Sequence, residues 1–184
     1  MSINRRDALK SMVLMMGGTM VGSTAILTGC APENQIEGLN FSPEDIALLD
    51  EIGDTIIPDT DTPGAKATEI GAFIVMMVKD TYDGENQKAF VSGINSLRSN
   101  FKSENGSSFE DASSEDRLAF LNKMKADADA GTEEAKVIYM LKDLTVLGYF
   151  TSEIGATQAL NFVEVPGRYD GCIPLKDGDK AYAI

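Results

Sequence analysis

The sequence predicts an all-α protein: a single helical domain of about four to six helices with an irregular C-terminal arm, spanning residues 42–184. Three observations carry that expectation. Apolar residues recur at spacings of three and four, as in Phe90, Ile94, Leu97 and Phe101, which places them on one helical face. Helix-start chemistry recurs at Ser42-Pro43-Glu44-Asp45, Ser113-Ser114-Glu115-Asp116 and Thr132-Glu133-Glu134, where a hydroxyl precedes acids suited to the positive end of a helix. Finally, no internal repeat is visible, and removing residues 1–30 leaves 154 residues, the length of one ordinary domain.

Residues 1–30 read as an export leader rather than part of the fold. Arg5 and Arg6, followed by Leu9 and Lys10, look like a twin-arginine signal, although Ala8 stands where a bulky aromatic is usual. Gly17, Gly18 and Gly22 dilute the apolar run in a way that route tolerates; an ordinary secretory signal that contains Arg-Arg is the alternative. Leu27-Thr28-Gly29-Cys30 resembles a bacterial lipobox, in which Cys30 receives the lipid and becomes the mature N-terminus. A plain cleavage site beside an incidental cysteine is the other reading. Lipid chains each contribute about 0.8 kcal/mol per buried methylene, so several on one residue hold a protein at a bilayer. The 17 residues from Ser11 to Leu27 are marginal for a membrane span. Ala31 rather than an aspartate follows Cys30, which favours the outer membrane, on the periplasmic side, for a lipid-anchored product.

Residues 31–41 read as a tether between Cys30 and the domain. The first helix begins at Ser42, with Pro43 in the first helical position, carries Ile46, Leu49, Ile52 and Ile56, and ends at Pro58. Asp59-Thr60-Asp61-Thr62-Pro63-Gly64-Ala65 is a loop whose two acids and Pro-Gly turn suit a capping turn better than a calcium site. A second helix is expected from near Thr68-Glu69 to about Thr81, carrying Ile70, Phe73, Ile74, Met77 and Val78. Beyond Asp83-Gly84 lies the helix of Phe90 and Phe101, then a serine-rich loop or flexible insertion over 103–114. Ser113 opens a helix with Leu118, Leu121 and Met124. Thr132-Glu133-Glu134 opens what reads as the longest and most apolar helix, with Val137, Ile138, Leu141, Leu144 and Leu147, expected at the centre of the core. From Leu160 to Pro174 the chain is apolar without a helical period, the composition of an arm that wraps its own domain or binds another surface.

Composition limits the chemistry. The chain has 16 basic and 29 acidic residues; without the leader's three basic residues and one acid, 13 and 28 remain, a net charge of about −15. A phosphate backbone repels such a surface, which argues against a nucleic-acid partner. Histidine is absent altogether. That removes a Ser-His-Asp triad, an imidazole general base, a His-ligated zinc and a haem axial histidine. With Cys30 committed to lipid, Cys172 is the one remaining cysteine, expected as a buried small hydrophobe, with an exposed or partner-linked thiol as the alternative.

Four stretches stand out together: the twin-arginine leader; Ile56-Ile57-Pro58 with Asp61-Thr62-Pro63-Gly64-Ala65; Gly148-Tyr149-Phe150-Thr151-Ser152-Glu153-Ile154-Gly155; and Val165-Pro166-Gly167-Arg168-Tyr169-Asp170-Gly171-Cys172. In this order they resemble a family, the small subunit (subunit 3) of membrane-bound gluconate 2-dehydrogenase. The resemblance implies a large partner subunit of the glucose–methanol–choline type that holds FAD and oxidises a sugar, sugar acid or alcohol, and commonly a third subunit carrying haem c. It implies no cofactor and no catalytic residue in this chain, which would export and stabilise its folded, flavin-loaded partner. The lipobox departs from the family pattern and suggests that this chain itself anchors the complex to a membrane.

Within that reading Pro63, Gly64, Tyr149, Phe150, Glu153, Arg168 and Tyr169 are candidate interface residues. Tyr149, Phe150 and Glu153 equally suit the end of a core helix folding back on itself, and Arg168 equally suits a salt bridge within this acidic domain. Two other functions stay open at this stage: a small stand-alone hydrolase or lyase using Asp59, Asp61 and Glu153, and a binding lipoprotein without a dehydrogenase partner.

Overall fold

The computed structural model describes residues 39–167, 171, 172, 174 and 176–183. Over these residues the protein is all-α, with five α-helices: α1 (Pro43–Ile56), α2 (Ile70–Thr81), α3 (Gly84–Asn105), α4 (Ser114–Asp129) and α5 (Val137–Thr151). Short 3-10 turns at Ala65–Thr68 and Glu133–Lys136 lead into α2 and α5, and a π-turn at Gly155–Ala159 follows α5. The arm forms one small parallel pair, β1 (Asn161–Phe162) with β2 (Tyr182–Ala183), in the register Asn161 to Tyr182 and Phe162 to Ala183. The leader, including Arg5, Arg6 and Cys30, lies outside the described residues, as do Arg168 and Tyr169.

Local chemistry sets each helix start. Ser42 and Asp45 form a reciprocal capping box at α1: the Ser42 hydroxyl accepts from Asp45 N at 3.2 Å and Ser42 N donates to the Asp45 carboxylate at 2.9 Å. Ser113 caps α4 by accepting from Asp116 N at 3.1 Å. Helix α2 has no cap of its own, because Glu69 sits in the left-handed region with φ 54°. Its exposed donors are met from α1 instead, where the Asp50 carboxylate accepts from Gly71 N at 2.7 Å. At the other end of α2, the buried Gln87 side chain of α3 donates to the carbonyls of Val78 and Lys79, each at 3.1 Å.

The core is one cluster. Leu48, Leu49 and Ile52 of α1, Ile70, Ile74 and Val78 of α2, and Phe90, Ile94, Leu97 and Phe101 of α3 meet Leu141 and Leu144 of α5. Helix α5 touches each of the other four helices, the central position expected of its apolar sequence. It is not the longest helix. That is α3, with 22 residues, which continues through the polar run 102–105 until Gly106, at φ 73°, ends it.

The serine-rich stretch 103–114 is therefore partly helix, and the remainder is anchored rather than loose. Phe109 is fully buried, edge-on to Phe101 with ring centroids 4.9 Å apart. The end of the expected tether is also docked: Leu39 and Phe41 pack on the core, with Phe41 edge-on to Phe90. Cys172, expected to be buried, is exposed, because the arm that carries it runs over the surface instead of entering the core.

Candidate functional site

Two of the sequence motifs meet at one place. Pro58 stops α1 and the chain turns so that Ala65 N donates back to Ile57 O at 2.9 Å. The turn is too tight for any side chain at Gly64, whose Cβ would lie 2.7 Å from Asp59 N and 2.8 Å from Ile57 O. At the end of α5, Tyr149 is buried and its hydroxyl donates to the Pro63 carbonyl at 2.7 Å, joining the Pro-Gly turn to the Gly-Tyr-Phe corner across 86 residues of sequence.

The rest of the second motif builds the corner itself. A Cβ on Gly148 would come within 2.5 Å of Ile70 Cδ1 and Phe73 Cδ1, so glycine lets α2 and α5 approach closely. The Ser152 hydroxyl donates to Tyr149 O at 2.7 Å and accepts from Gly155 N at 3.0 Å. A Cβ on Gly155 would stand 1.9 Å from Tyr149 O, a distance no backbone tolerates. The corner therefore specifies a sharp exit from α5 into the π-turn. Among the seven candidate interface residues, Pro63, Gly64 and Tyr149 are spent on packing and turning the chain, while Phe150 and Glu153 face outward. Tyr149 and Phe150 are adjacent in sequence yet separated by burial, since successive helical residues point about 100° apart.

A polar staple lies on α1 and α4. Arg117, 9% exposed, donates from Nε to Phe109 O at 2.8 Å, from Nη1 to the Glu51 carboxylate and from Nη2 to Glu110 O, with its guanidinium 5.6 Å from the Phe109 ring centroid. Glu51 also receives Lys66. Partial burial disfavours ionised Glu51, but hydrogen bonds from Lys66 and Arg117 outweigh it and hold the carboxyl below its ordinary range. Next to this network, burial and the Glu51 charge push Asp54 upward. Asp45 is held low in the same manner: burial opposes ionisation, and the Ser42 backbone and Arg98 prevail.

The acids singled out in the sequence stand at the surface. Asp59, Asp61 and Glu153 are exposed, and the Asp61 carboxylate accepts from the Thr60 hydroxyl at 3.0 Å. Among the described residues no group of three or more His, Cys, Asp or Glu is placed to hold a metal ion. Sequence reasoning missed Glu51 and Arg117, which lie 66 positions apart and leave no local signature. It also missed the outer face of α5, where Tyr139, Val146, Leu147 and Phe150 remain exposed. Their spacing was the available signal, but the apolar run around them read as core on every side.

Fold and site together define a class: a small all-α domain whose signature residues shape tight turns and close helix packing. The sequence model of gluconate 2-dehydrogenase subunit 3 matches residues 43–167, more than half of the chain, and the chain belongs to that family. Membership implies a multi-subunit dehydrogenase as the setting in which such a chain works. The match begins after the leader and stops before Arg168. No significant match was found among curated proteins or among solved structures. Among the described residues no helix is long and apolar enough to cross a membrane.

Proposed function

We propose that this chain is the non-catalytic small subunit of an FAD-dependent dehydrogenase of the glucose–methanol–choline type. It exports that partner folded and flavin-loaded by the twin-arginine route, stabilises it afterwards, and holds it to a membrane through lipid on Cys30. In this reading residues 1–30 are the signal, 31–41 the tether and 42–184 the subunit domain, on the periplasmic side and with the outer membrane favoured. FAD resides in the partner, and haem c, where a third subunit is present, in that subunit.

One observation supports the reading most. Gly64, Gly148, Tyr149 and Gly155, which lie in the stretches that resemble the family and within the matched residues 43–167, are engaged in turns and close packing and not gathered around a reaction centre. Motifs committed to architecture suit a subunit that must hold a shape for another protein.

Replacing Arg5 and Arg6 by lysine in the native host and following the dehydrogenase tests the export role. Dehydrogenase activity is expected to leave the envelope fraction and accumulate, flavin-loaded, in the cytoplasm. Undiminished activity in the envelope would refute the carrier role. Cys30→Ala separates anchoring from export: the complex is expected to appear in the soluble periplasmic fraction, and retention on membranes would refute the lipid anchor.

A further inference from the structure

Asn105 ends α3 and Gly106 caps it, and together they form the one Asn-Gly pair of the sequence. Both residues are exposed. Nothing lies within 4 Å of the place a Cβ would take on Gly106, so the corner stands open to water. An Asn-Gly pair is chemically labile, because glycine has no side chain to shield its nitrogen or to bar the backbone angles that ring closure needs.

The folded chain engages both reacting groups elsewhere. The Gly106 N–H donates to Lys102 O at 3.0 Å, and Asn105 Nδ2 donates to Phe101 O at 3.2 Å. Attack needs the Gly106 nitrogen within about 3–3.5 Å of Asn105 Cγ and aligned with it. With the carboxamide tied back one turn and the N–H committed to a carbonyl, closure waits until the last turn of α3 opens. We propose that Asn105-Gly106 is a site of spontaneous deamidation gated by the last turn of α3, and that conversion there releases the segment that seats Phe109.

The chemistry needs only water. The Gly106 nitrogen attacks Asn105 Cγ and a new C–N bond closes a succinimide ring. The Cγ–Nδ2 bond breaks, and Nδ2 leaves as ammonia with the proton that Gly106 N gives up. Water then opens the ring at either carbonyl, giving aspartate or isoaspartate. In sum, amide and water become acid and ammonia, with no oxidant or reductant.

Both products strain the same place. An aspartate no longer donates to Phe101 O, and it sets a carboxylate beside Glu104 at the negative end of the α3 dipole. An isoaspartate also routes the main chain through the former side chain, lengthening it by one carbon just ahead of Phe109. That ring is buried edge-on to Phe101 at 4.9 Å, and its carbonyl accepts from Arg117 Nε at 2.8 Å. Its seat therefore depends on the backbone path out of Gly106.

The test incubates the full-length chain in mildly alkaline buffer, folded and in denaturant, and follows acid formation at Asn105 by peptide mass mapping. Conversion is expected in both, at least about ten-fold slower in the folded chain. Lys102→Gly changes an exposed side chain, leaves the pair in place and frays the last turn. It is expected to speed conversion towards the denatured rate, in step with faster hydrogen exchange at Gly106 N. Converted chain, separated by its added charge, is expected to be cut by chymotrypsin after Phe109 several-fold faster than unconverted chain. Equal rates in folded and denatured chain, or an unchanged rate in Lys102→Gly, overturn the gate. No acid at Asn105 in denaturant overturns the site, and unchanged cleavage after Phe109 overturns the release of the segment.

Discussion

Arg117→Met is the sharpest test of how the domain is held together. The substitution keeps much of the stem but removes a guanidinium that serves two backbone carbonyls, at positions 109 and 110, and one carboxylate, Glu51. Arg117 is nearly buried and Glu51 only partly accessible, so water replaces the lost donors incompletely. Breaking a buried ion pair from one side costs about 3–5 kcal/mol. Lys66 still neutralises part of the Glu51 charge, which places the expected loss at the lower end, about 3 kcal/mol. For a domain of this size that is a fall in melting temperature of about 6–12 °C. Circular dichroism melting of the purified protein reads it. A Glu51→Gln variant and the double variant complete a cycle that isolates the pair, and a coupling of about 1–3 kcal/mol is expected. The linkage has a definite sign. The folded-state pKa of Glu51 is depressed, so its contribution is present above the ordinary unfolded value and is lost as pH falls through the folded one. Arg117→Met therefore also shrinks the stability lost on acidification. A melting temperature within about 2 °C of wild type would refute the staple, since even 1 kcal/mol moves a domain of this size by at least that much.

Three further expectations concern the motif corner, a turn glycine of the arm and the cap of α1. Tyr149→Phe removes one hydrogen bond to Pro63 O and should cost about 1 kcal/mol, read by denaturant midpoint with an unchanged slope. Gly155→Ala, whose new methyl would meet Tyr149 O, should sharply lower the yield of folded protein, whereas Gly167→Ala, with φ 66° and open space around it, should cost only about 1 kcal/mol. Ser42→Ala removes one half of the capping box and should cost about 1 kcal/mol, visible as faster hydrogen exchange in the first turn of α1.

Sequence made the helices legible wherever local chemistry decides. The Ser42-Pro43-Glu44-Asp45 start, the Ser113 cap and the Phe90 to Phe101 face all appear as read, because caps and periodicity act within a few residues. What was not legible depends on distant partners. Phe109 looks like part of a polar loop until Phe101 and Arg117 enclose it. Helix α3 runs on through a polar stretch because Gly106, not hydrophobic spacing, marks its end. Asp50 caps a helix it does not belong to. The exposed outer face of α5 was hidden for the opposite reason: an apolar helix reads as core on all sides, and only the folded chain shows which side its neighbours leave open.

The accessory role itself is tested most directly by purifying the full-length chain from native membranes and assaying it with and without what accompanies it. The account predicts a co-eluting flavoprotein that carries all the FAD and all the dye-linked sugar or alcohol dehydrogenase activity, while the separated chain has neither flavin nor turnover. Turnover by the separated chain, or a dehydrogenase exported and stable in cells lacking it, would contradict the account.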